Sequence, residues 1–297
     1  MNMKRSIFIL LTIFHLLPAG FLSQAQSVVA ISQETTNLPV IPKSLDKYKV
    51  IDTSLFTITY EVKIVVDTNK PDEIQEDLLV LQIGKRISKS YSQFLFQADS
   101  INTEAIKNGL ATSPIFQGIV PPIEVYKNYP ENKNTVTYRT FANGPTFLYS
   151  EDKIKFEWKI LPVTKKYLTY TCQKATTTFR GRNYEAWFTS EIPLREGPFK
   201  FGGLPGLILQ IQDTKNHYVF SCIGIKKEKQ VNEIKMWTWK YDSTTREKLN
   251  AFLKRIHDNP IDFFSASGTP VMVVGKNNKI EPVSKRFKCA FNPIELE

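Results

Sequence analysis

The sequence is short of the residues on which most catalytic and metal chemistry rests. It has three cysteines, Cys172, Cys222 and Cys289, and three histidines among 297 residues. The cysteines lie far apart and form no CxxC pair, which argues against a structural zinc site. An oxidising compartment allows one disulfide among them and leaves one thiol over, with the pairing open. His15 falls in the leader described below, so His217 and His257 are the imidazoles left for acid–base work. No Gly-x-Ser-x-Gly or Ser-x-x-Lys frame surrounds Ser88, Ser90 or Ser92, and no phosphate-loop pattern occurs. After the leader, no window approaches the roughly 18 apolar residues of a membrane-spanning helix. Internal repeats and low-complexity tracts are also missing.

What is there begins at the N-terminus. Lys4 and Arg5 precede an apolar run from Ile7 to Leu17, and Ser23-Gln24-Ala25 makes a small-x-small cleavage site. Residues 1–25 therefore read as a secretory signal peptide. Its apolar core is shorter than the roughly 20 residues that cross a bilayer as a helix. Cleavage starts the mature chain at Gln26, with no cysteine to carry a lipid anchor. The expected location is periplasmic or outer-membrane-associated. The net charge of +10 drops by two when Lys4 and Arg5 leave. With no nucleic-acid module in sight, that excess reads as a solvated basic surface.

Residues 26–46 are polar with scattered aliphatics and read as a flexible N-terminal arm. Residues 47–297 read as a single β-rich domain. In FTITYEVKIVV, residues 56–66, apolar side chains alternate with mostly polar ones, the signature of a strand with one buried face. Further strands are expected at 78–83, 91–97, 136–141, 146–149, 155–160, 168–178, 184–189, 207–212, 218–226, 234–241 and 271–274. Short turns between them, including Ala142-Asn143-Gly144-Pro145 and Gly181-Arg182-Asn183, argue an antiparallel meander. A short helix is possible over 102–108. One helix is clear: Thr244 and Glu247 form a capping-box pair, Leu249, Phe252, Leu253 and Ile256 recur on one face, and Asn259-Pro260 stops it. The expected fold is all-β and mainly antiparallel, a curved sheet or half-barrel with one C-terminal amphipathic helix packed on it.

The block from Thr171 to Asp213 is dense in motifs: Cys172-Gln173-Lys174-Ala175, Phe179-Arg180-Gly181-Arg182, Ala186-Trp187-Phe188-Thr189, Ile192-Pro193, Gly197-Pro198 and Leu204 to Ile208. On these motifs the chain closely resembles the GLPGLI family of Bacteroidota, a Porphyromonas-type uncharacterised family. Leu81 to Ser100 is similar to that family's serine-rich strand, and Asn292-Pro293-Ile294-Glu295 to its end. The resemblance implies an exported envelope protein associated with TonB-dependent transporters, and it brings no activity with it. The Trp-aromatic-Thr strand, the Ile-Pro pair and the Gly-Leu-Pro corner are also similar to LolA-like lipoprotein carriers. Those are curved sheets with a helix on the concave side.

The candidate sites are few. In Gly202 to Gln210, GGLPGLILQ, glycines and a proline meet an apolar run. A phosphate cradle needs such glycines to open a helix, whereas Leu207 to Asp213 reads as a strand. The stretch is expected to be a structural corner, with Gly203, Pro205 and Gly206 as the alternative backbone-lined contact for a partner or ligand. Arg180 and Arg182 flank a turn and can bind an anion bidentately, against the plainer role of solvated charges or a bridge to Glu185. Trp187, with Trp158, Trp237 and Trp239, reads as core or as the wall of a lipid-facing cavity. Ser88, Ser90 and Ser92 read as the polar face of a strand. Glu61, Glu151, Asp152 and Glu157 make no convincing carboxylate pair. The reading carried forward is non-catalytic binding of an apolar ligand or an outer-membrane partner, without cofactor or metal. The alternative is an envelope hydrolase using Ser90, or another hydroxyl, with His217.

Overall fold

The alternation in FTITYEVKIVV becomes the inward phase of a long strand, in which Ile58, Tyr60, Val62 and Ile64 are buried. The computed structural model describes residues 10–12, 27–32, 40–110, 122–141, 144–266, 271–274, 280–282 and 288–297. Most of the expected signal peptide and the turn residues Ala142-Asn143 lie outside these. In chain order the elements are β1 (Leu10–Thr12), β2 (Ser27–Ser32), β3 (Tyr48–Val65), β4 (Ile74–Gly84), β5 (Ser88–Ser92), α1 (Gln93–Lys107), β6 (Ile123–Lys127), β7 (Lys133–Arg139) and β8 (Thr146–Asp152). Then come β9 (Lys159–Tyr167), β10 (Tyr170–Phe179), β11 (Arg182–Thr189), β12 (Leu207–Asp213), β13 (Tyr218–Lys227), β14 (Glu233–Trp237) and β15 (Asp242–Ser243). The last are α2 (Arg246–Asp258), α3 (Pro260–Ala266), β16 (Val271–Val274) and β17 (Ile280–Pro282).

One open sheet of 13 strands runs β15-β8-β7-β6-β5-β4-β3-β13-β12-β11-β10-β9, with β14 paired to the first half of β3. Its pairings are antiparallel except for β15 on β8. The all-β, mainly antiparallel class is as expected. A small sheet of four strands, β1-β2-β16-β17, stands apart.

Three local expectations are corrected. The strand expected over 91–97 ends at Ser92, whose hydroxyl accepts from Leu95 N at 3.2 Å and caps α1. Helix α1 shows weak apolar periodicity because its inner face is polar: Asp99, Asn102 and Thr103 are buried. Asp99 takes two hydrogen bonds from Arg139, and Thr103 and Asp99 hold the backbone of Leu45 and Lys43. The strand expected over 155–160 starts only at Lys159, as β9. The cap of α2 is Thr245, accepting from Lys248 N, one residue after the expected capping box. Asn259 does end α2, and Pro260 opens α3, the position where a missing N–H costs nothing.

The main core lies on one face of the large sheet. Tyr60, Leu81, Ile58, Phe188 and Phe201 are almost fully buried there, and α2 adds Leu249, Leu253 and Ile256. The opposite face carries a smaller cluster under residues 233–241. There Lys89 is buried against the rings of Tyr91, Tyr126 and Trp237 and pairs with Glu124 at 3.3 Å.

A cavity beneath helix α2

Because β13, β3, β4, β5, β6 and β7 are neighbours, their inward side chains form rows across the sheet. One row is Phe220, Val62 and Asp77, and the next is Tyr218, Ile64 and Gln75. On the far side of β4, Leu79 faces Ser92, and the row Leu81, Ser90, Val125, Val136 continues to Tyr149 on β8. Helix α2 spans this field with Leu249, Leu253 and His257, and residues 290–295 close one side. Between them lies a cavity of about 190 Å³. Its walls are largely aliphatic and aromatic, with a polar stretch on the sheet made by Gln75, Asp77, Ser90 and Ser92 and further polar groups, Asn250, His257, Asn292 and Glu295, on the helix and the C-terminal segment.

Asp77 is the unusual member of that stretch. It sits in the inward phase of β4, two residues before Leu79, where an apolar side chain is the norm. Ser92 donates to Asp77 Oδ1 at 2.9 Å and Leu78 N donates to it at 2.7 Å. Burial outweighs both hydrogen bonds and pushes the carboxyl up to about 7. His257, across the cavity on α2, donates through Nδ1 to Leu253 O at 2.8 Å and lies between the rings of Phe141 and Phe291. Burial lowers its pKa, so its ring favours the neutral form near neutrality.

The C-terminal wall is held by Arg182, which is only 4% exposed. Its guanidinium donates to Asp213 Oδ2 at 2.9 Å, to Asn292 Oδ1 and Pro293 O at 2.6 Å each, and to Ile294 O at 3.2 Å. Tyr218 OH donates to Asn292 O at 2.6 Å, and Asn292 Nδ2 to Val65 O at 2.5 Å. A second anchor is Lys200, fully buried, which contacts Glu151 and Glu295 at 2.6 Å each and donates to Tyr149 OH at 3.0 Å. Burial alone would lower the Lys200 pKa, but Glu295, Tyr149 and Glu151 outweigh it and hold the ammonium charged.

The residues singled out in the sequence are placed as follows. Trp187 lies opposite Gln210, on the phase of β11 that faces away from buried Ala186 and Phe188, with Lys165 Nζ 4.2 Å from its ring centre. Gly203 and Gly206 form the corner before β12; Trp158 Nε1 donates to Gly202 O at 2.9 Å and Arg195 to Gly203 O at 3.0 Å. Pro205 stands between them. Arg180 pairs with Glu151 at 3.1 Å, whereas Glu185 pairs with Lys174. None of Arg180, Arg182, Trp187, Gly203, Pro205 and Gly206 lines the cavity. Ser90 and His257 do, but Ser90 Oγ donates to Phe199 O at 3.2 Å and His217 Nδ1 lies 3.3 Å from Arg182 Nη1. A Ser90–His217 pair is therefore not assembled. The three cysteines are free and buried; burial pushes Cys222 up to about 11 and Cys289 up to about 12, away from thiolate chemistry. Among the described residues, no group of three His, Cys, Asp or Glu is placed to hold a metal ion, and no helix is long and apolar enough to cross a membrane.

The family model described as "N-glycanase peptide, N-terminal domain" matches residues 97–247, just over half of the chain. The chain belongs to this family. Two solved structures of PNGF-II, in C2 and P21 space groups, are similar at 18% and 17% identity, each with a TM-score of 0.44. Each match covers 70% of this chain and 34% of the other, so the chain spans about a third of their length. No curated protein matches. Membership overturns the expectation of a non-catalytic protein, since this family takes its description from an N-glycanase.

Proposed function

We propose that the domain binds a small amphipathic ligand in the cavity beneath α2, in the envelope to which the leader directs the chain. The observation that carries this reading is a largely apolar cavity with a hydrogen-bonding patch at Asp77 and Ser92 on the sheet. Such a layout orients a ligand: the apolar part fills the space and one polar group meets the patch. An apolar cavity of about 150 Å³ takes up benzene. One of about 190 Å³ therefore suits a ring or a tail of roughly six to eight carbons. Each methylene buried there contributes about 0.8 kcal/mol.

The test is a titration with 1-octanol. Wild-type protein is expected to bind it saturably. Leu253→Trp, which fills the cavity from α2, is expected to weaken binding about tenfold or more, equivalent to about 1.4 kcal/mol. Equal affinity in a folded Leu253→Trp protein would contradict the proposal.

Asp77 gives the cavity a pH dependence of defined sign. Its folded pKa of about 7 lies above the ordinary 3.8, so the folded state binds the proton more tightly than the unfolded one. Stability contributed by the protonated carboxyl is therefore present at low pH and is lost as pH rises from about 4 to about 7. The upper bound of that loss is about 4 kcal/mol. Urea unfolding of wild type minus Asp77→Asn should show this slope, flat above about pH 7. A difference that does not vary with pH would show that Asp77 ionises normally.

Family membership, together with Asp77, favours a second reading. A cavity carboxyl with a pKa near 7 is suited to handling a proton during hydrolysis, and the family's description names an N-glycanase. Under that reading, Asp77→Asn loses activity on an N-glycopeptide while keeping octanol binding. Retained activity would remove it.

A further inference from the structure

We propose that the N-terminal end of α2, together with Arg180, forms a binding site for an oxyanion: a sulfate, phosphate or carboxylate group. Arg246, the first residue of α2, has a side chain only 10% exposed. Its Nη2 donates to Glu247 Oε1 at 2.8 Å, and its Nε lies 4.0 Å from Glu151 Oε2. Its Nη1 is buried and has no hydrogen-bond partner. Arg180, in the β10–β11 turn, reaches the same Glu151 Oε2 through Nη2 at 3.1 Å, and its Nε is likewise buried and unpartnered. Behind them, Lys200 contacts Glu151 Oε1 and Glu295 Oε1.

Two guanidinium groups thus converge on one oxygen of one carboxylate. Lys200 Nζ lies 2.6 Å from the other oxygen of Glu151, which is itself buried without a hydrogen-bond partner, and is shared with Glu295. Glu247, 69% exposed, occupies Arg246 from the solvent side and leaves the inner N–H untouched. Buried guanidinium donors are ordinarily matched, and their planar fork fits the oxygens of a carboxylate, sulfate or phosphate. The first turn of α2 adds the positive end of its dipole to the same place. An oxyanion seated between Arg180 and Arg246 satisfies both open donors. Because Leu249 and Asn250, one turn further along α2, line the cavity, the site lies at its rim, although the inference does not depend on a ligand in the cavity.

The experiment is thermal unfolding of the full chain in sodium sulfate, phosphate or acetate, each against sodium chloride at matched ionic strength. At about ten times its dissociation constant, a bound anion should raise the wild-type Tm by about 2–4 °C over chloride. The strongest of the three salts identifies a tetrahedral or a planar group. Arg246→Met should lose the increment, with Arg180→Met as the second variant if the first does not fold. Glu151→Gln removes the competing charge; it should unfold earlier in chloride and be rescued by the anion, with several-fold tighter binding. A cluster that is only structural would be weakened by Glu151→Gln equally in every salt. That result, or an increment unchanged in Arg246→Met, overturns the site.

Discussion

Gly206→Val is expected to abolish folding of the domain before it affects any single interaction. A Cβ at Gly206 would land on the carbonyl of Thr189, 2.6 Å from its carbon and 3.0 Å from Ser190 Cα. Neither side can retreat. Gly206 N donates to Leu204 O at 2.8 Å and closes the corner on itself, while the bonds from Leu207 N to Ile192 O at 3.1 Å and from Ile208 N to Glu196 O at 3.0 Å tie it to its surroundings. Directly after it, Leu207, Ile208 and Leu209 are fully buried. For comparison, truncating one buried leucine, as in Leu209→Ala, costs about 2–5 kcal/mol. Moving the whole corner displaces several such side chains against a total stability of about 5–15 kcal/mol. Soluble yield and Tm should fall together. A Gly206→Val protein that melts like wild type yet loses a ligand would make GGLPGLILQ a recognition site instead.

Arg182→Met should be the next most damaging change. The guanidinium joins β11 to β12 through Asp213 and to the C-terminal segment through Asn292, Pro293 and Ile294. Removing it leaves the Asp213 carboxylate, 2% exposed, without its cation. Breaking a buried pair from one side costs about 3–5 kcal/mol. Asp213 keeps the backbone N–H of Tyr218 at 2.9 Å, which offsets part of this. Urea unfolding is expected to show the loss, and residues 289–297 should become sensitive to protease under conditions where wild type resists. Stability within about 1 kcal/mol of wild type would mean that the segment is held mainly by Lys200 and Glu295.

The difference between those two positions marks how far the sequence could be read. The corner was legible because its parts are local: glycines for close approach, a proline, then an aliphatic strand. Even there the alternation of a half-buried strand is relaxed. The pairing of β11 with β12 shifts register between Trp187 and Phe188, leaving Leu209 without an opposite residue, and Ile208 is buried as well. Strand β3 was legible for the same local reason. Helix α1 was not, because its inner face is recognised by ion pairs and hydrogen bonds from distant residues, and apolar periodicity carries no trace of them. The roles of Arg182 and Lys200 depend on a segment about 100 residues further along the chain. Asp77 did leave a signal: a carboxylate in phase with Leu79, Leu81 and Ile83 on a strand flanked by apolar runs. The cavity itself, built from seven strands, a helix and the C-terminal segment, is a product of topology.

The most direct test of the cavity as a binding site is a crystal structure of the mature protein soaked with 1-octanol. The account predicts the alkyl chain among Val62, Phe220 and Leu253, with the hydroxyl in hydrogen-bond reach of Asp77 or Ser92. An empty cavity, with octanol absent or bound elsewhere on the protein, would contradict it.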